Sequence, residues 1–104
     1  WSKTALPWMS IGYETQIPPI STLIFYNAIA NNGKMLQPRF VKAILKNGEV
    51  VKEFPVKVIR EQMASPEAVK KMQICLEQVV SIGLGKKAGS KQFHSSGKTG
   101  TAQI

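Results

Sequence analysis

The run Ile20-Ser-Thr-Leu-Ile-Phe-Tyr-Asn-Ala-Ile-Ala30 constrains the fold more than any other stretch of the chain. Pro18-Pro19 precedes it and Asn31-Asn32-Gly33 follows it. Proline is tolerated in a first helical turn, because the N–H it lacks would have no partner there. A glycine beyond the last apolar residue suits a left-handed C-terminal cap. The segment between reads as a helix that is apolar on nearly every side, which is the pattern of a buried helix, not of an amphipathic surface one. A chain of 104 residues buries only roughly 60–70% of its unfolded surface, so this helix is hard to cover with what the chain itself supplies. The expectation is a piece of a larger protein, and the start at Trp1 instead of Met is read the same way.

Composition narrows the class. Hydrophobic residues make up 43% and charged residues 19%, fractions ordinary for one globular domain and too apolar for a disordered chain. The longest nearly apolar run is far shorter than the ~20 residues a membrane helix needs. The single cysteine, Cys75, cannot form an internal disulfide, and with one histidine, His94, there is no zinc-type cluster. No metal or cofactor is expected. The formal net charge is +8, from 14 Lys+Arg against 6 acidic residues. The basic residues are dispersed, densest at Lys70-Lys71 and Lys86-Lys87, and aromatic residues do not alternate with them as on a single-strand-binding platform. A solvated basic face therefore accounts for the charge better than nucleic-acid binding, which would show affinity falling steeply with salt.

The fold class read from the remaining pattern is α+β. Residues 1–17 read as loop, punctuated by Pro7 and Gly12. Asn47-Gly48 between Phe40–Lys46 and Glu49–Phe54 is the strongest short hairpin signal. A tight turn there would pair Lys46 with Glu49, Ile44 with Val51 and Lys42 with Glu53, setting opposite charges across one face. Val41, Ala43, Leu45, Val50 and Phe54 would then face the core. Ser65-Pro66-Glu67 opens a second helix with an N-cap, a proline at the first position and an acid in the first turn. Its apolar stripe is Val69, Met72, Leu76, Val79 and Val80, with Cys75 read as a small core residue. Gly83 and Gly85 end it, Lys86–Gln92 is a basic loop, and Phe93–Ile104 reads as an edge strand.

Three readings compete for Ser95-Ser-Gly-Lys-Thr-Gly-Thr-Ala-Gln103. Gly97-Lys98-Thr99 resembles the end of a phosphate loop, but Gln92 stands where the first glycine belongs and Gly100 weakens the helix that should follow. Ser95-Ser-Gly-Lys98 spells S-x-x-K, yet the glycines argue against the helical turn that would bring a lysine onto its serine, so Ser95 is not taken as a nucleophile. The third reading is K-T-G on a strand. There Lys98 offers a fixed positive charge to a substrate carboxylate. Thr99 and Thr101 add hydroxyls, and Gly100 leaves room for a peptide backbone bound as an added strand. A glycine-containing edge with a solvated lysine is the bland alternative for so short a motif.

Longer stretches carry a resemblance. Trp1-Ser-Lys-Thr-Ala-Leu-Pro-Trp-Met-Ser-Ile-Gly-Tyr-Glu14, Pro19–Val41, Leu76-Glu-Gln-Val-Val80 and Gly97-Lys-Thr-Gly-Thr-Ala-Gln103 together resemble class B penicillin-binding proteins, in the expected order and spacing. The likeness runs over nearly all of residues 1–104 and extends to the cell-division-type peptidoglycan transpeptidases of Bacteroidetes-like bacteria. It implies a partial transpeptidase (β-lactamase-like) fold, helices on an antiparallel sheet, with residues 1–104 as the C-terminal part of the domain. It also implies D,D-transpeptidation of cell-wall stem peptides ending in D-Ala-D-Ala, through an acyl-serine that β-lactams trap. Lys98 would bind the carboxylate and set the local field, Thr99, Gly100 and Thr101 would hold substrate, and the Thr101 N–H would serve the oxyanion hole. The parent would sit in the periplasm, anchored in the inner membrane, with divisome-type partners. No serine here has asparagine two positions later, and the S-x-x-K pair of the family belongs before residue 1, so this chain alone is expected to be inactive. A degenerate binding module that keeps the fold without the serine is the alternative.

His94 is read as a surface or packing residue, Trp1 and Trp8 as packing against the rest of the domain, and Lys86-Lys87 as a solvated loop. Exposed apolar helix surface and open strand edges predict self-association or strand exchange of the isolated chain. Sedimentation of the 104-residue chain should reveal species above monomer as concentration rises; monomer alone at high concentration would refute this.

Overall fold

The computed structural model describes residues 2–101. The first element corrects the loop reading of residues 1–17: Ala5–Met9 forms a short helix, α1, with Ala5 buried and Trp8 edge-to-face on Tyr13 at 5.4 Å. Trp8 is still half exposed, and Trp1 lies outside the described residues.

Helix α2 spans Pro19–Ala30. Pro18 occupies the N-cap and supplies no side-chain hydrogen bond, so the start rests on proline geometry alone. The end is a Schellman arrangement: the Gly33 N–H donates to the Ala28 carbonyl at 2.7 Å and the Asn32 N–H to the Ile29 carbonyl at 3.3 Å. Asn32 takes the left-handed cap position (φ 57°), and Gly33 follows with φ 95°. The predicted glycine stop is therefore shared between two residues. After it the chain makes β1 (Met35–Leu36), β2 (Ala43–Lys46), β3 (Glu49–Glu53) and β4 (Val58–Arg60). β1 pairs antiparallel with β4, and β2 with β3.

The β2–β3 hairpin turns on Asn47 (φ 53°) and Gly48 (φ 79°), the positive angles a type I′ turn needs, and Lys46 faces Glu49 as expected. Beyond that pair the predicted register fails. A bulge between Ile44 and Leu45 sets Ile44 opposite Lys52 and Ala43 opposite Glu53. One residue of β3 is absorbed, so the alternation of faces shifts. No ion pair crosses the hairpin among the described residues, and Lys52 instead stands 4.9 Å from the centre of the Phe54 ring. The predicted core face is a second correction: Val41, Leu45 and Val50 are exposed, because no other helix or strand packs on this hairpin.

Helix α3 spans Pro66–Ser81, with the Ser65 hydroxyl accepting from the Ala68 N–H at 3.2 Å. Val69, Leu76 and Val80 are buried, and with Ala28 and Ile29 of α2 they make most of the core. Met72 and Cys75 are exposed, against the core role read for them. Gln73 replaces them on the inner face: its amide nitrogen donates to the Ile29 carbonyl at 2.7 Å and to Asn32 Oδ1 at 3.1 Å, tying α3 to the end of α2. Gln62 and Met63 complete the joint, the Met63 N–H donating to the Gly33 carbonyl at 2.8 Å.

Elsewhere α2 lacks the cover its sequence calls for. Leu23 and Phe25 are exposed, and Leu23 lines an apolar groove of about 630 Å³ with Ile20, Leu36 and Phe40. The radius of gyration is 17.9 Å, against roughly 13 Å for a compact domain of this length. The accessible surface is 9234 Å², against about 5,800 Å² for a folded monomer of this mass.

At Gly33 a side chain would meet both a positive backbone angle and the Gln62 side chain of the joint. A Cβ there would lie 2.2 Å from the Gln62 amide nitrogen, on a backbone angle that side chains rarely adopt. Gly33→Ala should cost about 1–3 kcal/mol, read as a lower urea midpoint with unchanged slope. Ser65→Ala, which removes only the α3 cap, should cost about 1 kcal/mol. A Gly33→Ala chain as stable as the parent would show that the joint does not depend on this turn.

Candidate active site

The segment that carries Lys98 is laid along the C-terminal half of α3. α3 ends at Ser81, and the chain reverses through Ile82–Gly85, where the Gly83 N–H reaches the Gln78 carbonyl and the Gly85 N–H the Val79 carbonyl, each at 2.9 Å. Both glycines run close to that turn: a Cβ would meet the Val79 carbonyl oxygen at 2.9 Å from Gly83 and at 3.0 Å from Gly85. The predicted basic loop contains one 3₁₀ turn, Lys86–Ala88, packed on α3. Ser90 then caps the next bend, its hydroxyl accepting from the Gln92 and Phe93 N–H groups.

Two bonds dock the following residues on α3. The Gly97 N–H donates to the Leu76 carbonyl at 3.1 Å, and His94 Nδ1 meets Glu77 Oε1 at 3.2 Å. His94 is thus a surface residue with an acidic partner, and the pair is too exposed to add much stability by itself. Residues 94–101 form no helix and no paired strand. The expected edge strand is corrected accordingly: a strand exists by pairing with another strand, and among the described residues no strand pairs with this segment, which lies on α3 instead. Residues 102–104 of that expectation lie outside the described residues. The absence of a helical turn also keeps Ser95 and Lys98 from the one-turn contact that an S-x-x-K pair makes.

Lys98, Thr99 and Gly100 are exposed, as is Thr101. Lys98 and Thr99 line an open cleft of about 210 Å³ together with Ser95, Ser96 and Gly97, closed below by Val79 and Val80 of α3 and at one side by Gly85 and Ala88. The Lys98 ammonium folds back on its neighbour, donating to the Thr99 carbonyl at 2.6 Å and lying 3.4 Å from the Thr99 hydroxyl. Lysine and threonine oxygen are therefore brought together, on one wall of one cleft. Nothing lies within 4 Å of where a Gly100 Cβ would be, so the space beside the motif is open. An exposed ammonium with a hydroxyl beside it can bind an anionic group at the end of an extended chain. A second cleft of about 450 Å³ lies between α2 and α3 and reaches Ser96 and Gly97 from the other side.

Sequence reasoning missed Gln73 and Glu77 as the residues that hold this arrangement. A signal was present for Gln73, a polar residue in register with Val69, Leu76 and Val80 on the buried stripe. Glu77 carried none, since its partner His94 is remote in sequence. Among the described residues no cluster of His, Cys, Asp or Glu could hold a metal ion.

Comparison with known proteins gives the family. The chain is 30% identical over 97 residues to stage V sporulation protein D of Bacillus subtilis, covering 90% of this chain and 15% of that protein. It is 29% identical over 111 residues to penicillin-binding protein PbpB of Mycolicibacterium smegmatis, covering 99% of this chain and 17% of that protein. Penicillin-binding protein H of Bacillus subtilis is 30% identical over 101 residues, 91% of this chain and 14% of that protein. The chain thus spans about one sixth of the length of these relatives. No solved structure matches it. The family model of the penicillin binding protein transpeptidase domain matches residues 1–104, and the chain belongs to that family.

Proposed function

We propose that this chain is the lysine-bearing, C-terminal part of a serine-type peptidoglycan D,D-transpeptidase, and that it acts only with the segment that supplies the nucleophile. The observation that carries the reading is the family match over residues 1–104, taken with Lys98 and Thr99 on the wall of one open cleft. A serine outside this chain attacks the penultimate D-Ala carbonyl of a stem peptide. The C–N bond breaks, the terminal D-Ala leaves with a proton, and an ester to the serine remains. An amine of a neighbouring stem then attacks the ester, forms the cross-link and returns the proton to the serine. A β-lactam is opened by the same serine and stays attached.

In this scheme the Lys98 ammonium meets the substrate carboxylate, and the Thr99 and Thr101 hydroxyls donate to it. Gly100 lets the peptide backbone approach, and residues 98–101, which pair with no strand among the described residues, offer it an edge. The Thr101 N–H is one of two donors to the oxyanion of the tetrahedral intermediate, a kind of contact worth roughly 3–4 kcal/mol. The exposed groove on α2 and the free face of the hairpin are the surfaces on which the remainder of the domain packs; in the isolated chain they favour self-association. The parent works in the periplasm from an inner-membrane anchor, with divisome-type proteins as candidate partners. Among the described residues no helix is long and apolar enough to cross a membrane.

Intact mass of the complete parent after incubation with a β-lactam tests the reading. A one-to-one adduct is expected, lost when the nucleophilic serine is replaced. Lys98→Ala should slow acylation roughly ten- to a hundredfold, the worth of a hydrogen bond to a charged group. The 104-residue chain should form no adduct. A folded parent that forms none would instead be a degenerate binding module.

A further inference from the structure

After Glu77 the sequence contains no acidic residue, yet it carries Lys86, Lys87, Lys91 and Lys98. Among the described residues the ion pairs are Lys34–Glu61, Lys71–Glu67 and His94–Glu77, so none of these four lysines meets a carboxylate. Glu77, the acid that lies nearest in sequence, is engaged by His94. Lys86 and Lys87 sit in the 3₁₀ turn whose Gly85 and Ala88 line the same cleft as Lys98 and Thr99. The turn is held on α3, which fixes its backbone at the cleft rim.

We propose that Lys86 and Lys87 form an electrostatic guide at this rim, favouring acyl donors that carry a carboxylate in addition to the one bound at Lys98. The proposal rests on the transpeptidase reading above. Both side chains are exposed, so they act at a distance: uncompensated charge of one sign beside a cleft raises the local concentration of ligands of the other sign. Such an effect grows with ligand charge and fades as salt shortens the Debye length from about 30 Å at 0.01 M to about 3 Å at 1 M. Lys98 alone would act on every donor through the shared carboxylate. The guide discriminates by total ligand charge.

The test is the second-order acylation rate of the complete parent protein with three β-lactams, one dianionic, one monoanionic and one zwitterionic, at low and high salt. In Lys86→Gln/Lys87→Gln the dianionic rate should fall roughly two- to threefold at about 0.01 M salt, the monoanionic rate less, and the zwitterionic rate hardly at all. Lys86→Glu/Lys87→Glu should deepen the loss without altering the thermal midpoint, and all differences should vanish near 1 M salt. Equal losses with all three ligands, losses that ignore salt, or rates identical to the parent's each overturn the guide while leaving the transpeptidase reading intact. No acylation of the unaltered parent by any of the three overturns both.

Discussion

The turn at Asn32-Gly33 is the constraint on which the rest of the arrangement depends. It ends α2 through the Ala28 and Ile29 carbonyls, and its own backbone then receives the Met63 N–H. Gln73 reads the same turn from α3, through Ile29 and Asn32. These few bonds set α3 against α2. α3 in turn carries the Leu76 carbonyl and the Glu77 carboxylate that hold Gly97 and His94. The position of Lys98 is thus inherited, step by step, from a helix stop far earlier in the sequence. The joint is also where the core lies, since Ala28, Ile29, Val69, Leu76 and Val80 are buried there. A polar clasp around so small an apolar core sets geometry more than it adds stability, because each hydrogen bond contributes only about 1 kcal/mol net.

What was legible in the sequence was what local chemistry decides. Pro18-Pro19, Ser65-Pro66-Glu67 and Asn47-Gly48 each specify a backbone conformation with their own atoms, and α2, α3 and the I′ turn lie where these residues put them. What was not legible depends on partners remote in sequence. The bulge in the hairpin is a matter of how adjacent apolar residues Val50 and Val51 share one facing strand. β1 and β4 are too short to show a period and exist by pairing across more than twenty residues. Cys75 and Met72 border the apolar stripe of α3, but the face turned to α2 centres on Gln73, a rotation that periodicity alone does not fix.

Three departures from expectation share one cause. α2 reads as a buried helix and is half bare. The hairpin has an apolar face and nothing on it. The Lys98 segment has the composition of a strand and no neighbour to pair with. Each expectation concerns a surface that this chain creates and does not cover. The excess accessible area and the large radius of gyration are the sum of these surfaces. The described residues cover only part of each of these surfaces. They do so in a chain that matches a family domain over residues 1–104 while spanning about one sixth of the length of its relatives.

The same reasoning bears on the candidate site. Lys98, Thr99 and Gly100 were readable as a three-residue motif, but the strength of their interactions was not. Two unit charges 4 Å apart attract by about 1 kcal/mol in bulk water and by about 4 kcal/mol at the effective dielectric typical of a protein surface. In the open cleft the exposed Lys98 rests on the carbonyl and hydroxyl of its own neighbour. Binding an anion there means exchanging those weak contacts for a charged one, and the gain depends on how far water is excluded when the exchange is made. A lysine is therefore a motif by sequence but a catalytic group only by enclosure. The walls that α3 and the turn at Gly85 already provide are half of that enclosure, and the free side of the cleft is where the other half has to stand.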